Sequence, residues 1–176
     1  MSASNGIVSM VRGQFKGAHD VLEATMQDVT PEMAAWQPPG TANAVGPNYA
    51  HVVTGEDVIL LGMARGAAPL LASSWAGQVG LSEMPPMDGK WHEWNQRVAI
   101  DLPALRTYAQ AVYAATDEFL AALTDADMGR TLDLSAMGFG EQSLGWLLGI
   151  MLANVHWHTG EIACLKGVQG HKGYPF

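Results

Sequence analysis

Four long segments of this chain repeat their apolar residues at helical spacing. None reads convincingly as the apolar–polar alternation of a half-buried strand. In the third segment, for example, apolar residues recur every three or four positions from Leu102 to Leu123. Together these segments predict an all-α four-helix bundle. They run from about residues 5 to 29, 45 to 64, 102 to 123 and 142 to 166.

Shorter features lie between the long segments. Thr30 followed by Pro31 predicts a helix start, because threonine is a good N-cap and proline fits the first helical turn. That short helix should end near Trp36, before Pro-Pro-Gly at 38–40. Residues 124–140 are predicted to be a loop. The connection at residues 66–100 is long for a bundle, so we expect it to cover a pocket.

Composition narrows the class of protein. The 176 residues fit one domain, residues 1–176, and carry 9 basic against 17 acidic residues. This balance argues against nucleic acid and against an anionic membrane surface as partners. With one cysteine, Cys164, the chain cannot form an intramolecular disulfide. Residues 1–10 do not resemble a signal peptide, and the most apolar segment, 144–153, is too short to span a bilayer. We therefore expect a cytoplasmic protein.

The fourth segment carries the clearest candidates for a site. Asn154 and His158 are four residues apart, so they share one face of a helix, and both are expected to point inward. His156 should point away from them. Glu161 lies one turn beyond His158, where it would either bind a metal or orient the histidine.

The second segment offers His51 and Glu56. Its periodicity places Glu56 in the apolar stripe and His51 towards Gly55 and Gly62, although the segment is apolar on nearly every side. A buried glutamate needs a partner, which a histidine or an ion would supply. The structural alternative is that His51 and His158 are hydrogen-bonded core residues and bind no ion. The remaining histidines are predicted to lie on the surface: His19, His92 and His171.

The order and spacing of four passages resemble the DinB-like superfamily, and the likeness covers most of the chain except residues 66–100. The first is Thr-Pro-Glu-Met-Ala-Ala-Trp with the Pro-Pro-Gly that follows, and the second is His-Val-Val-Thr-Gly-Glu. The others are Leu-Ala-Ala-Leu-Thr-Asp-Ala-Asp and His-Thr-Gly-Glu-Ile with the glycine-rich tail behind it. They occupy residues 30–40, 51–56, 120–127 and 158–176.

The resemblance implies a four-helix bundle with a long helix 2–helix 3 connection and one divalent ion held by three histidines. His51 matches the first ligand and His158 the last, whereas Asn154 stands where the middle histidine is expected. An amide oxygen is a weaker ligand than imidazole for zinc or nickel. Relatives of known activity include thiol-cofactor-dependent enzymes, such as mycothiol-dependent maleylpyruvate isomerase and bacillithiol transferases, and dimers are common among them.

Three functional hypotheses follow. The first is a metal-dependent enzyme acting on a small molecule, with a thiol cofactor, a transferase or isomerase activity, and Glu56 or Glu161 as catalytic residues. The alternative is a metal-free ligand-binding or inactive protein, which Asn154 favours. The third is a structural or dimerisation module. The homodimer that we expect rests on the resemblance to the family.

Overall fold

The computed structural model describes residues 6–86 and 89–176, and it is mostly helical. The four predicted long segments are helices, and the second changes from α-helix to π-helix partway along. The predicted start of the first helix, Asn5, lies outside the described residues. The α-helices are α1 (Gly6–Met26), α2 (Pro31–Ala35), α3 (Val45–Glu56), α4 (Trp91–Asn95), α5 (Leu102–Ala121) and α6 (Leu144–Val168).

The long helices pack against one another in pairs. Both α1 and α3 pack against α5 and α6, so apolar stripes from all four meet in the interior. Large side chains such as Leu22, Tyr49, Trp94 and Leu105 are fully buried there. Among the described residues, no helix is long and apolar enough to cross a membrane.

Local sequence signals set several helix ends. The Thr30 hydroxyl accepts a hydrogen bond from the Met33 amide, and Pro31 opens α2 as predicted. Asp101 caps α5 in the same way through the Ala104 amide. Such side-chain acceptors satisfy backbone donors that a helix start would otherwise leave unpaired.

The prediction of a loop at residues 124–140 is wrong in part. A 3-10 helix spans Asp125–Gly129, and strand β1 (Thr131–Asp133) pairs antiparallel with β2 (Glu141–Ser143). Each strand has only three residues, too few to show an alternating pattern in the sequence. This small sheet lies directly before α6 and departs from a purely helical architecture.

The second long helix is anchored where its geometry changes. The π-helix spans Asp57–Ala64, and the Asp57 carboxylate is fully buried at its start. That carboxylate accepts hydrogen bonds from the Leu70 and Leu71 amides and from the Tyr108 hydroxyl. These bonds hold the beginning of the connection at residues 66–100 against the helix from which it departs.

Candidate metal site at His51 and His158

The structure brings the predicted histidines of the second and fourth long helices together. The ring centres of His51, on α3, and His158, on α6, are 4.7 Å apart, with an angle of 76° between the ring planes. Two imidazoles that bind one ion at about 2.1 Å have ring centres about 5 Å apart. The separation of this pair, which we call the open histidine pair, is therefore compatible with a shared ion.

The environment of His51 favours its neutral form. Burial lowers the pKa of His51 to about 4, and the nearby His158 acts in the same direction. A hydrogen bond with Asn154 and the charge of Glu161 oppose this shift. At neutral pH the ring is uncharged, which is the form that binds metal ions.

Glu161 fixes the orientation of His158. The Nδ1 atom of His158 lies 2.7 Å from a carboxylate oxygen of Glu161, one turn later on α6. This contact leaves Nε2 as the ring nitrogen available to an ion. A carboxylate behind a ligating histidine both orients the ring and makes it a stronger ligand.

A cavity of about 480 Å³ adjoins His51, and its lining is almost entirely apolar. The edge of Trp91 contacts the His51 ring, with ring centres 4.5 Å apart. Trp91 belongs to the long connection, which was predicted to cover a pocket, and several other cavity residues come from the same segment. They are Leu71, Met84, Pro85 and Pro86, facing Gly55, Val58, Ile59 and Met63 of the second long helix.

Glu56 does not join His51. It is fully buried, as its place in the apolar stripe predicts, but its oxygens lie 2.8 Å from His19 Nε2 and 2.7 Å from the Thr116 hydroxyl. We call these three residues the Glu56 cluster. The prediction that His19 lies on the surface is wrong, because the residue is only 7% exposed. It supplies the histidine partner that a buried glutamate requires.

The remaining sequence candidates lie outside the pocket. His156 and His171 are exposed, as predicted, and His92 is half-buried. The C-terminal tail packs on α6 at Gly160, where a Cβ would lie 3.2 Å from the Tyr174 hydroxyl. The sequence did not predict the contact between Trp91 and His51. Its one signal is that the connection is rich in tryptophan.

Few strong metal donors surround the open histidine pair. Within residues 6–86 and 89–176, no group of three or more His, Cys, Asp or Glu side chains is arranged to hold a metal. The amide of Asn154, predicted as the third donor, is hydrogen-bonded to His51 and so lies beside the pair. Two imidazoles and an amide form a poorer site for zinc or nickel than three imidazoles do.

Four long helices, with imidazoles from two of them facing each other beside an apolar cavity, define a helical protein with a candidate metal site. The sequence profile of the DinB superfamily matches residues 14–162, so the chain belongs to the DinB superfamily. The crystal structure of a conserved protein from Enterococcus faecalis is similar, with a TM-score of 0.77 and 18% identity over 93% of this chain and 98% of that chain. At this identity the likeness shows the fold alone. Comparison with curated proteins gives no match.

Proposed function

We propose that this chain is a metal-dependent enzyme whose four-helix bundle holds one divalent transition ion, zinc or nickel, at His51, Asn154 and His158. The observation that carries the proposal is the 4.7 Å approach of two imidazoles from different helices. They meet beside an apolar cavity of about 480 Å³ that is large enough for a small molecule.

Each residue of the site has a defined task. His51 is kept neutral by burial and offers a ring nitrogen. Glu161 holds His158 in a fixed orientation through Nδ1. Glu161 is itself 54% exposed, so it is also placed to exchange a proton with solvent. Glu56 contributes to the fold instead, through the Glu56 cluster.

The pocket and the paired imidazoles support a class of reaction. A bound divalent ion would supply a lowered pKa for a thiol or water beside it, giving a nucleophile near neutral pH. The apolar lining, with Trp91 over His51, suits a substrate that carries an apolar group. We therefore favour transfer or isomerisation of a small molecule with a thiol co-substrate. We also propose that the protein is cytoplasmic and forms a homodimer.

Metal titration of protein without a histidine tag tests the proposal. Wild-type protein should bind up to one equivalent of zinc or nickel, and His51→Ala and His158→Ala should each abolish this binding. His156→Ala is the matched control, because His156 lies on the same helix but is exposed. If His156→Ala lowers affinity as much as His51→Ala does, the ion binds elsewhere on the surface and the proposal fails.

A metal-free ligand-binding protein is the second candidate, and the amide at position 154 favours it. The variant Asn154→His separates the two readings. If the native protein is a metal-dependent enzyme, this substitution should raise its metal affinity by about tenfold or more and change its existing activity. If metal binds only after the substitution, and no activity accompanies it, the native protein is a metal-free binder.

A further inference from the structure

The cavity beside His51 is lined by side chains without formal charge. Its volume is about 480 Å³, and none of the described residues that line it is Asp, Glu, Lys or Arg. Among these residues only His51 and Thr54 have polar side chains, and the Thr54 hydroxyl already donates to the Ala50 carbonyl. A charged group placed among them would lose its hydration without gaining a countercharge from the protein, which is strongly unfavourable.

Three methionines from separate segments give the cavity an adaptable wall. Met63 lies on the second long helix, Met84 in the long connection and Met137 in the 3-10 helix Ser135–Met137. Met63 and Met84 are also exposed to solvent, so they lie at the edge of the cavity. A methionine side chain is flexible, and its sulfur makes favourable contacts with aromatic rings. These residues therefore suit a flat aromatic group better than an aliphatic group of the same size.

Trp91 forms the wall of the cavity next to His51, and its orientation is fixed. The two ring centres are 4.5 Å apart, and Trp91 also packs at 79° against Trp94, with ring centres 5.5 Å apart. Trp94 is fully buried, so it supports Trp91 from behind. Aromatic pairs gain more from contact than their buried area alone provides, so this wall also favours an aromatic ligand.

Gly55 leaves space in the cavity. It lies about one turn after His51 and one turn before Ile59, and all three residues line the cavity. A Cβ at Gly55 would meet nothing within 4 Å. A larger side chain at this position would therefore project into the cavity and reduce its volume.

We infer that this cavity receives a neutral aromatic group of the substrate, which Met63, Met84 and Met137 select. Gly55 leaves the room that the group needs. An apolar cavity of about 150 Å³ can hold benzene, so the larger cavity beside His51 has space for one or two rings. This inference rests on the proposed function for the reaction of the bound molecule beside His51, but selection of the aromatic group requires no ion.

Nuclear magnetic resonance of protein with ¹³C-labelled methionine methyl groups tests this inference. The protein is kept free of metal with EDTA, so the result does not depend on an ion. The signals of Met63, Met84 and Met137, each assigned by its loss in a Met→Leu variant, should shift to saturation with 2-naphthalenemethanol. The dissociation constant should be about 1 mM or lower. Met10, which is exposed on α1 and does not line the cavity, is the internal control and should not shift.

Two related compounds test the charge and the aromatic character separately. The compound 2-naphthoate has the same rings but carries a carboxylate, and it should bind at least about tenfold more weakly. Decahydro-2-naphthalenemethanol keeps the alcohol but has saturated rings, and it should bind about threefold more weakly or worse. Equal affinity for 2-naphthoate or for the saturated alcohol would overturn the inference.

Substitutions of two glycines locate the binding site. Gly55→Leu should weaken binding of 2-naphthalenemethanol by about tenfold or more, and Gly55→Ala should weaken it less. Gly13→Leu is the matched control, because Gly13 is an exposed glycine of α1 where a Cβ also meets nothing within 4 Å. Its effect should stay below about twofold. Equal losses in Gly55→Leu and Gly13→Leu, or no saturable shift in wild-type protein, would overturn the assignment.

The same compounds separate this inference from the proposed function. If wild-type protein binds one equivalent of zinc but not 2-naphthalenemethanol, the selection of an aromatic group is wrong and the metal site stands. If it binds 2-naphthalenemethanol but no zinc, the cavity binds aromatic molecules and the metal-dependent reaction is wrong.

Discussion

Two histidine–carboxylate pairs of the molecule have opposite characters. Glu56 and His19 are both buried, and every oxygen of the glutamate is engaged. His158 and Glu161 are equally close, but the side chain of Glu161 is 54% exposed. The first pair joins α1 to α3 and, through Thr116, to α5, whereas the second belongs to a single helix beside a pocket.

This difference assigns the first pair to stability and leaves the second for the proposed metal site. A buried carboxylate that loses its partners is costly, whereas an exposed ion pair contributes little to folding. The contact between His158 and Glu161 can therefore be removed with little effect on the fold. The Glu56 cluster cannot, because it ties α1 and α5 to α3.

Glu56→Ala is expected to have the largest effect on stability. The substitution leaves His19 and the Thr116 hydroxyl without their buried acceptor. The free energy of unfolding, measured by urea denaturation, should fall by about 3–5 kcal/mol. Metal affinity of the folded fraction should stay unchanged. A loss below about 1 kcal/mol would mean that the cluster does not hold the helices together.

Two glycines of α3 test the packed and open sides of one helix. A Cβ at Gly46 would lie 2.9 Å from a methyl group of Ile100 and 3.1 Å from the Ala34 carbonyl oxygen. Gly46→Ala should therefore destabilise the fold by about 1–3 kcal/mol. A Cβ at Gly55 would meet nothing within 4 Å, so Gly55→Ala should stabilise by up to about 1 kcal/mol. Thermal melts that move both variants in the same direction would contradict this contrast.

A further buried charge extends the comparison to the end of α6. Lys166 is buried and donates hydrogen bonds to Asp28 and to the Thr25 carbonyl. The hydrogen bond from Lys166 lowers the pKa of Asp28 below its ordinary value of 3.8. The stabilisation that Asp28 gives through Lys166 is therefore fully present above pH 3.8, and it is lost as the pH falls through the lowered pKa of Asp28.

Asp28→Asn should accordingly destabilise the protein at neutral pH by about 1 kcal/mol or less, since Asp28 is largely exposed and screened by solvent. Denaturation curves recorded across pH 2 to 7 should show the difference from wild type shrinking in acid. A difference that is constant with pH would show that the charge of Asp28 is not responsible.

Glu161→Ala should change stability least, by less than about 1 kcal/mol. Its effect should appear in metal affinity, which should fall by about 10–100-fold because His158 loses its orienting partner. Isothermal titration with zinc measures this directly. If Glu161→Ala binds zinc as wild type does, the carboxylate does not support the site.

Apolar periodicity was sufficient to predict the four long helices, and it placed Glu56 towards the core correctly. The convergence of His51 with His158 came from the resemblance to known relatives, since helical spacing specifies a face but not the neighbour opposite it. The partner of Glu56 was missed for the same reason. Lys16 lies three residues before His19 and Asp20 directly after it, so the local sequence indicates a polar surface.

Other features depend on contacts distant in sequence. The pairing of β1 with β2 involves only three residues on each side. The π-helix begins where Asp57 binds backbone amides thirteen and fourteen residues later, and its sequence is simply apolar. Neither feature leaves a periodic signal that a single sequence can show.

The central claim is that His51 and His158 hold one ion between them. Anomalous diffraction from crystals soaked in zinc or nickel tests it most directly. A peak within about 2.3 Å of a ring nitrogen of both histidines is the predicted result. A soaked crystal with a strong peak only at His156 or His171, and none between the paired rings, would contradict it.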